Sequence, residues 1–113
     1  MMKMYIVVND KLKDKGLISS QVGHAVLDHI DKHMKWFLER GVVEEFSRQL
    51  DVFRYNGNGM IVLKAPEDVL KNLCDLGETT VIDRTMNNMI TAVNLGIHDD
   101  NHKPPITKIL KLL

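Results

Sequence analysis

The chain has 113 residues, and its 15 basic and 15 acidic side chains cancel to a formal net charge of zero. A chain of this length forms one domain, residues 1–113, with a sizeable core, because such a domain buries roughly two-thirds of its unfolded surface. The charge balance excludes a bulk positive field over the whole molecule, so any RNA contact has to be local.

The first predicted element is a short apolar strand over residues 4–9. Its apolar residues follow one another without alternation, which is typical of a central strand covered on both faces. This run is too short for a signal peptide, and no other stretch reaches the length of a membrane span. We therefore expect a cytoplasmic protein.

A basic loop over residues 10–16 leads into an amphipathic helix that ends at Gly41. The loop contains three lysines: Lys11, Lys13 and Lys15. Apolar residues recur every three or four positions in the helix, and Ser19 or Ser20 is the predicted N-cap. The positive end of a helix beside three lysines favours a bound phosphate or carboxylate. This junction is the predicted centre of the chemistry.

The rest of the chain alternates between helix and strand patterns. The predicted elements are a helix over 42–50, a strand over 60–64, a helix over 66–76, strands over 79–82 and 90–97, and a terminal segment over 106–113. Strands that alternate with helices imply an α/β sheet with helices on both faces.

Several motifs resemble those of the type-2 peptidyl-tRNA hydrolases, and they occur in the family's order. Residues 19–25 read Ser-Ser-Gln-Val-Gly-His-Ala and resemble the family's small-small-Gln-x-x-His-Ala helix start. Further matches are residues 60–66 with the second strand, 81–85 with the Ile-x-Asp-Ala-Gly-Arg-Thr segment, 95–97 with the Leu-Gly-Ile strand, and 109–113 with the Leu-Lys-Leu end. The resemblance implies a three-layer α/β/α domain with a four-stranded mixed sheet, and a homodimer.

The family activity that the resemblance implies is hydrolysis of the ester between a peptide and the terminal ribose of tRNA, with no metal or other cofactor. Such a reaction needs a positioned water, a group that accepts its proton, and donors for the developing oxyanion. The candidate catalytic residues are Asp83, Gln21, His24, Thr85 and Lys15. The candidate substrate-binding residues are Lys11, Lys13, Ser20, Arg84, Asn87 and Asn88.

The most serious departure from the family pattern is Leu17. Four positions before the glutamine the family typically has a lysine that is assigned to the active site, so Lys13 or Lys15 would have to substitute here. In addition, the family's Ala-Gly between the aspartate and Arg-Thr is absent, and its Pro-Gly-Ser loop reads Met-Asn-Asn-Met over residues 86–89. A threonine of the family's fourth strand falls on Val93.

These departures keep two other functions open. One is a non-catalytic RNA-binding or protein-interaction domain on the same scaffold, and the other is a hydrolase that acts on a small ester. The candidate residues also have purely structural interpretations. Asp83 would then cap a turn or pair with Arg84, His24 would be packed or solvent-bonded, and Gln21 would close a cap at the helix start.

Two histidine pairs have spacings found in metal sites. His29 and His33 lie four positions apart, but zinc sites usually need three or four protein ligands, and the interleaved charged residues favour an exposed helix face. His98 and His102 form a similarly weak pair in a polar loop. We therefore predict no metal site.

Overall fold

Five strands and three helices alternate along the chain in the computed structural model, which describes residues 1–113. The strands are β1 (Met2–Asn9), β2 (Met60–Ala65), β3 (Thr79–Asp83), β4 (Met89–Asp99) and β5 (Lys111–Leu112). The helices are α1 (Lys15–Glu39), α2 (Val43–Tyr55) and α3 (Glu67–Asp75), with short 3-10 turns over Arg84–Met86 and Pro105–Lys108. No helix combines the length and the apolar character that crossing a membrane requires.

The strands form one mixed sheet in the order β3-β4-β1-β2-β5. β1 and β2 are parallel, and β4 is antiparallel to both β1 and β3. The α/β class is confirmed, but the predicted count of four strands was wrong. The fifth strand, β5, has two residues that pair with Leu63 and Lys64 of β2. A strand this short leaves no periodic pattern in the sequence.

Alternate residues of β1 pack into two separate cores, one on each face of the sheet. Met4, Ile6 and Val8 pack with residues of α1 and α2 on one face, whereas Tyr5 and Val7 pack with residues of α3 on the other. The prediction of a central strand covered on both faces is confirmed. Because α1 and α2 cover one face and α3 covers the other, the domain has three layers.

The helix α1 begins five residues earlier than a cap at Ser19 predicts. Asp14 is the N-cap, and its Oδ1 accepts the backbone N–H of Leu17 at 2.8 Å. The predicted cap at Ser19 or Ser20 was wrong, because the first helical turn adds no apolar residue before Leu17 and the pattern cannot mark it. Lys15 therefore lies at the first position of the helix rather than in the loop.

Two β-bulges in β4 turn polar side chains towards α1. The β3–β4 register passes from the pair Val81–Ala92 to the pair Ile82–Ile90, so Thr91 is the extra residue of one bulge. The second bulge leaves Asn94 buried, and its Nδ2 donates to the carbonyl oxygen of Ala25 at 3.1 Å. Bulges redirect side chains in this way because they break the strict alternation of a strand.

The direction of the strands decides where loops meet. β1, β2 and β3 run parallel to one another, so their carboxyl ends lie at the same edge of the sheet. At this edge the buried Asn9 ends β1 and donates its Nδ2 to the carbonyl oxygen of Ile90 at 2.9 Å. The loop after β1 and the end of β3 are thus held on the same edge.

Candidate active site

Asp83 ends β3 and caps the 3-10 turn that follows. Its Oδ1 accepts the backbone N–H of Thr85 at 2.8 Å and the hydroxyl of the same residue at 2.5 Å. Its Oδ2 lies 3.5 Å from Nε2 of Gln21, which is a long hydrogen bond. The hydroxyl and then the backbone N–H of Thr85, with a smaller effect from the charge of His24, hold the pKa of Asp83 below its usual range. Asp83 is therefore a carboxylate at neutral pH.

Gln21 is oriented by a threonine that the sequence analysis did not select. The side chain of Gln21 is buried, and its Oε1 accepts the hydroxyl of Thr91 at 2.7 Å. Since the amide oxygen is taken by this hydroxyl, the amide nitrogen faces Asp83. Thr91, Gln21 and Asp83 thus form one hydrogen-bonded chain from β4 through α1 to the end of β3.

The β3–β4 bulge explains why Thr91 was missed. Strict alternation places residues 91 and 93 on the same face, and the resemblance puts the family's threonine at Val93. In the structure Val93 packs in the core on the α3 side, whereas Thr91 bonds Gln21 of α1. The sequence feature that could have identified Thr91 is its hydroxyl, which stands alone within the apolar run of β4.

A cavity of about 450 Å³ lies beside this chain of hydrogen bonds, and we call it the acid pocket. Its lining residues are Gln21, His24, Asp28, Thr80, Val81, Ile82, Asp83 and Arg84. His24 and Arg84 are exposed, and Asp83 is half-buried. The pocket therefore places two carboxylates, an amide N–H, an imidazole and a guanidinium around one small volume.

The two asparagines after Arg84 do not line the acid pocket. Asn87 and Asn88 are exposed, and both have positive φ values, 57° and 58°. Asparagine tolerates this left-handed backbone better than most residues. Their observed contribution is the tight turn that returns the chain from the 3-10 turn to β4, and the predicted binding of substrate by their side chains stays a prediction.

The lysines of the first loop lie in a second region, which we call the lysine cleft. It consists of two cavities of about 600 and 490 Å³ that share Asp10, Lys13 and Lys64. Lys11 and Lys111 line only the larger cavity, and Lys15 lines only the smaller one. The two lysines that β2 and β5 contribute to the cleft, Lys64 and Lys111, were not among the predicted binding residues.

A model of the family described as peptidyl-tRNA hydrolase PTH2 matches residues 2–113. The chain belongs to this family. The match confirms the resemblance read from the motifs, and membership supports peptidyl-tRNA hydrolase function in general. No curated protein matches the chain.

The position of the PTH2 family's usual lysine remains apolar in this chain. Leu17 is half-buried and lies one helical turn before Gln21, so the two share a face of α1. Lys15 lies in the lysine cleft, which has no lining residue in common with the acid pocket. No ion pair within 4.0 Å joins Asp83 to a lysine. Neither Lys13 nor Lys15 therefore substitutes for the missing lysine in this structure.

His29 is buried, so the predicted exposed helix face was wrong at this position. Gly96, with φ of +90°, makes room for the imidazole, since a Cβ there would lie 3.3 Å from its Cε1. The rings of His29 and His33 are 3.9 Å apart. Burial, followed by the charges of His33, Lys32 and His98, lowers the pKa of His29 to about 4. No group of three or more potential ligands has metal-binding geometry.

Proposed function

We propose that this protein hydrolyses the ester between peptide and tRNA in peptidyl-tRNA and releases free tRNA and peptide. The observation that carries the proposal is the hydrogen-bonded chain of Thr91, Gln21 and Asp83 at the wall of the acid pocket. Membership of the PTH2 family supports the same activity.

In the proposed reaction Asp83 is the general base. Because Thr85 occupies Oδ1 with two hydrogen bonds, Oδ2 is the oxygen that accepts a proton from water. The water oxygen bonds to the ester carbonyl carbon, the bond from that carbon to the ribose oxygen breaks, and the ribose oxygen takes the proton back from Asp83. Thr85 acts here as a positioning residue.

The developing oxyanion needs donors, and the acid pocket contains several. The Nε2 of Gln21 is held towards the pocket by the bond of its amide oxygen to Thr91. Arg84 adds a guanidinium, and His24 adds an imidazole on the helix side of the same pocket. The donor of Gln21 is preorganised by Thr91, and such a donor lowers the barrier because it needs no reorientation as charge develops.

We further propose that the lysine cleft binds phosphates of the tRNA. Lys11, Lys13 and Lys15 lie there with Lys64 and Lys111, and Ser20 is exposed on the adjoining turn of α1. The cleft and Asp83 lie at the same edge of the sheet because β1, β2 and β3 are parallel. A tRNA held by phosphate contacts in the cleft can therefore present its terminal ester to the acid pocket.

The direct test is release of peptide from a peptidyl-tRNA mimic by the purified protein and by Asp83→Asn. Loss of the general base should lower kcat/KM by about a hundredfold or more. Asp51→Asn, which changes an exposed carboxylate of α2, is the matched control and should retain full activity. Equal release by the wild type and Asp83→Asn, or no release by either, would contradict the proposal.

Leu17 favours the second candidate function, a non-catalytic RNA-binding or protein-interaction domain on the same fold. Such a domain would bind tRNA with an affinity that falls steeply with added salt, yet it would turn nothing over. Measuring tRNA affinity and ester hydrolysis at the same series of salt concentrations separates the two functions. Salt-dependent binding without hydrolysis would establish the second.

A further inference from the structure

A groove between α1 and β3 continues from the acid pocket along the molecule. A second cavity, of about 510 Å³, lies farther along α1, has no lining residue in common with the pocket, and is lined by Lys32, His33, Trp36, Phe37, Gln49, Gly77, Glu78 and Thr79. Thr80 of the acid pocket and Thr79 of the second cavity are consecutive in β3. α1 therefore forms one wall of both cavities, and β3 with the two residues before it forms the other. Gln49 of α2 also lines the second cavity.

The helix wall of this groove is a regular stripe. His24, Asp28, Lys32 and Trp36 follow one another at intervals of four, which places them along one side of α1. The stripe is about 18 Å long at 1.5 Å per helical residue. Residues 77–84 form the opposite wall, and β3 itself spans about 13 Å at 3.3 Å per residue. These lengths match an extended segment of four to six residues.

The strand wall offers main-chain hydrogen bonds. β3 is an outer strand of the sheet, and β4 is its one neighbour. The free side of an outer strand presents backbone N–H and C=O groups to solvent, and an extended peptide can pair with them whatever its side chains. Pairing of this kind suits a substrate whose sequence varies.

The far end of the groove has a different chemistry from the acid pocket. Trp36 is 48% exposed, and the guanidinium of Arg40 lies 3.8 Å from the centre of its ring. Lys32 reaches across the groove, where its Nζ donates to the carbonyl oxygen of Gly77 at 2.7 Å and keeps two further donors. Glu78 adds a carboxylate. An aromatic surface with nearby donors and an acceptor fits a peptide backbone and its side chains.

We infer that the peptide moiety of the substrate lies in this groove, with its ester at Asp83 and its amino-terminal part beside Trp36. The inference rests on the proposed function, which fixes the position of the ester. Since β3 runs from Thr79 to Asp83, a peptide whose carboxyl end is at Asp83 runs parallel to β3. The residue farthest from the ester then reaches the aromatic end.

The test uses mimics that carry acetylated peptides of one, three and six residues on the same tRNA. For the wild type, kcat/KM should be about five- to tenfold higher on the six-residue mimic than on the one-residue mimic. A ratio of this size corresponds to the free energy of one aromatic contact. Trp36→Ala should lose at least five times more activity on the six-residue mimic than on the one-residue mimic, and Trp36→Phe should restore most of it. Tyr55→Ala, at a 92% exposed aromatic outside the groove, is the control and should keep the length dependence.

A wild type that is indifferent to peptide length, or a Trp36→Ala loss that is equal on all mimics, would overturn the inference. If the wild type hydrolyses no mimic, the proposed function fails, and the groove is tested separately through the fluorescence of Trp36, the single tryptophan of the chain. A saturable change in Trp36 fluorescence on titration with an acetylated hexapeptide amide would support a peptide groove. If Trp36 fluorescence changes with tRNA but not with the peptide, the groove binds nucleic acid and the inference is overturned.

Discussion

The hydroxyl of Thr85 donates to the oxygen of Asp83 that is not used in the proposed reaction, and it also controls the ionisation of that carboxyl. Thr85→Val removes the hydroxyl donor but keeps the shape of the side chain. Because hydrogen bonds to the ionised form keep the pKa of Asp83 low, the variant should raise it. The acid limb of the pH profile of kcat/KM should then move to higher pH, since that limb reports the essential base of the free enzyme.

The matched control for this variant is Thr80→Val. The hydroxyl of Thr80 donates to the carbonyl oxygen of Glu78, away from the carboxylate of Asp83. The acid limb should stay in place in this control. An unchanged limb in Thr85→Val would show that Asp83 is not the group whose protonation stops the reaction.

Leu17 provides a gain-of-function prediction. Leu17→Lys places an amine one turn before Gln21 on the same face of α1, where the PTH2 family has its lysine. A cation there would stabilise the developing oxyanion, and kcat should rise by about tenfold or more. Leu17→Met keeps the volume without the charge and should leave kcat unchanged. If Leu17→Lys is no faster than Leu17→Met, position 17 has no part in the reaction of this protein.

The resemblance to the family selected Asp83, Gln21 and His24, because their motifs can be read from residue order, and all three line the acid pocket. It could not find Thr91. The contact of Thr91 with Gln21 depends on a bulge, and a bulge follows from the register between two strands rather than from the residues of one. Lys64 and Lys111 were missed for a related reason, since strand pairing brings them to the lysine cleft.

At the scale of the elements, the start of α1 yields a stability prediction. Asp14→Ala removes the side-chain acceptor for the N–H of Leu17 and should lower the free energy of unfolding by about 1 kcal/mol. Ser19→Ala, at the position that the apolar pattern favoured as the cap, should change it by less than about 0.5 kcal/mol. Urea denaturation of both variants measures the difference. If Ser19→Ala loses more free energy of unfolding than Asp14→Ala, the N-cap is Ser19, as the apolar pattern predicted.

The long strands and helices were found in the right order, because the helices show their apolar period and β1 stands out as a continuous apolar run. The C-terminal end of α1 is easier to predict from the sequence than its N-terminal end. Gly41, with φ of +69°, ends the helix as predicted, whereas the cap at Asp14 precedes a turn without apolar residues. β5 exists only as a partner of β2 and has no pattern of its own.

At the scale of the whole molecule, stability should depend on pH through His29. Its pKa is about 4 in the folded protein, below the ordinary value of 6.5, so the unfolded chain binds this proton more readily. The contribution of neutral His29 to stability is complete above pH 6.5 and falls as the pH is lowered towards 4. The loss over this window should be about 2 kcal/mol, allowing for partial solvent screening of the ring.

The variant His29→Gln tests this assignment because it is neutral at every pH and keeps a polar group near Thr79. Its free energy of unfolding, measured by denaturant titration at several pH values, should vary less between pH 6.5 and 4.5 than that of the wild type. The carboxylates with lowered pKa, Asp83 and Asp100, titrate below this window and do not contribute to the difference. Parallel curves for the two proteins would contradict the role of His29.

A homodimer, which the resemblance implies, stays a prediction for the whole molecule. Sedimentation velocity over a range of concentrations tests it, because a monomer has a mass of 12.9 kDa. Repeating the measurement with the acetylated hexapeptide amide also shows whether assembly uses the free side of β3, since peptide and partner would then compete for it.

The central place of β1 has a consequence for biosynthesis. This strand is translated before both of its neighbours, which begin at Met60 and Met89, so its hydrogen-bonding partners arrive late. α1 forms from local contacts and can shield one face of the strand early, but the other face waits for α3. The nascent chain therefore carries a water-exposed apolar ribbon over residues 4–8 through much of its synthesis, the stage at which chaperone protection matters most.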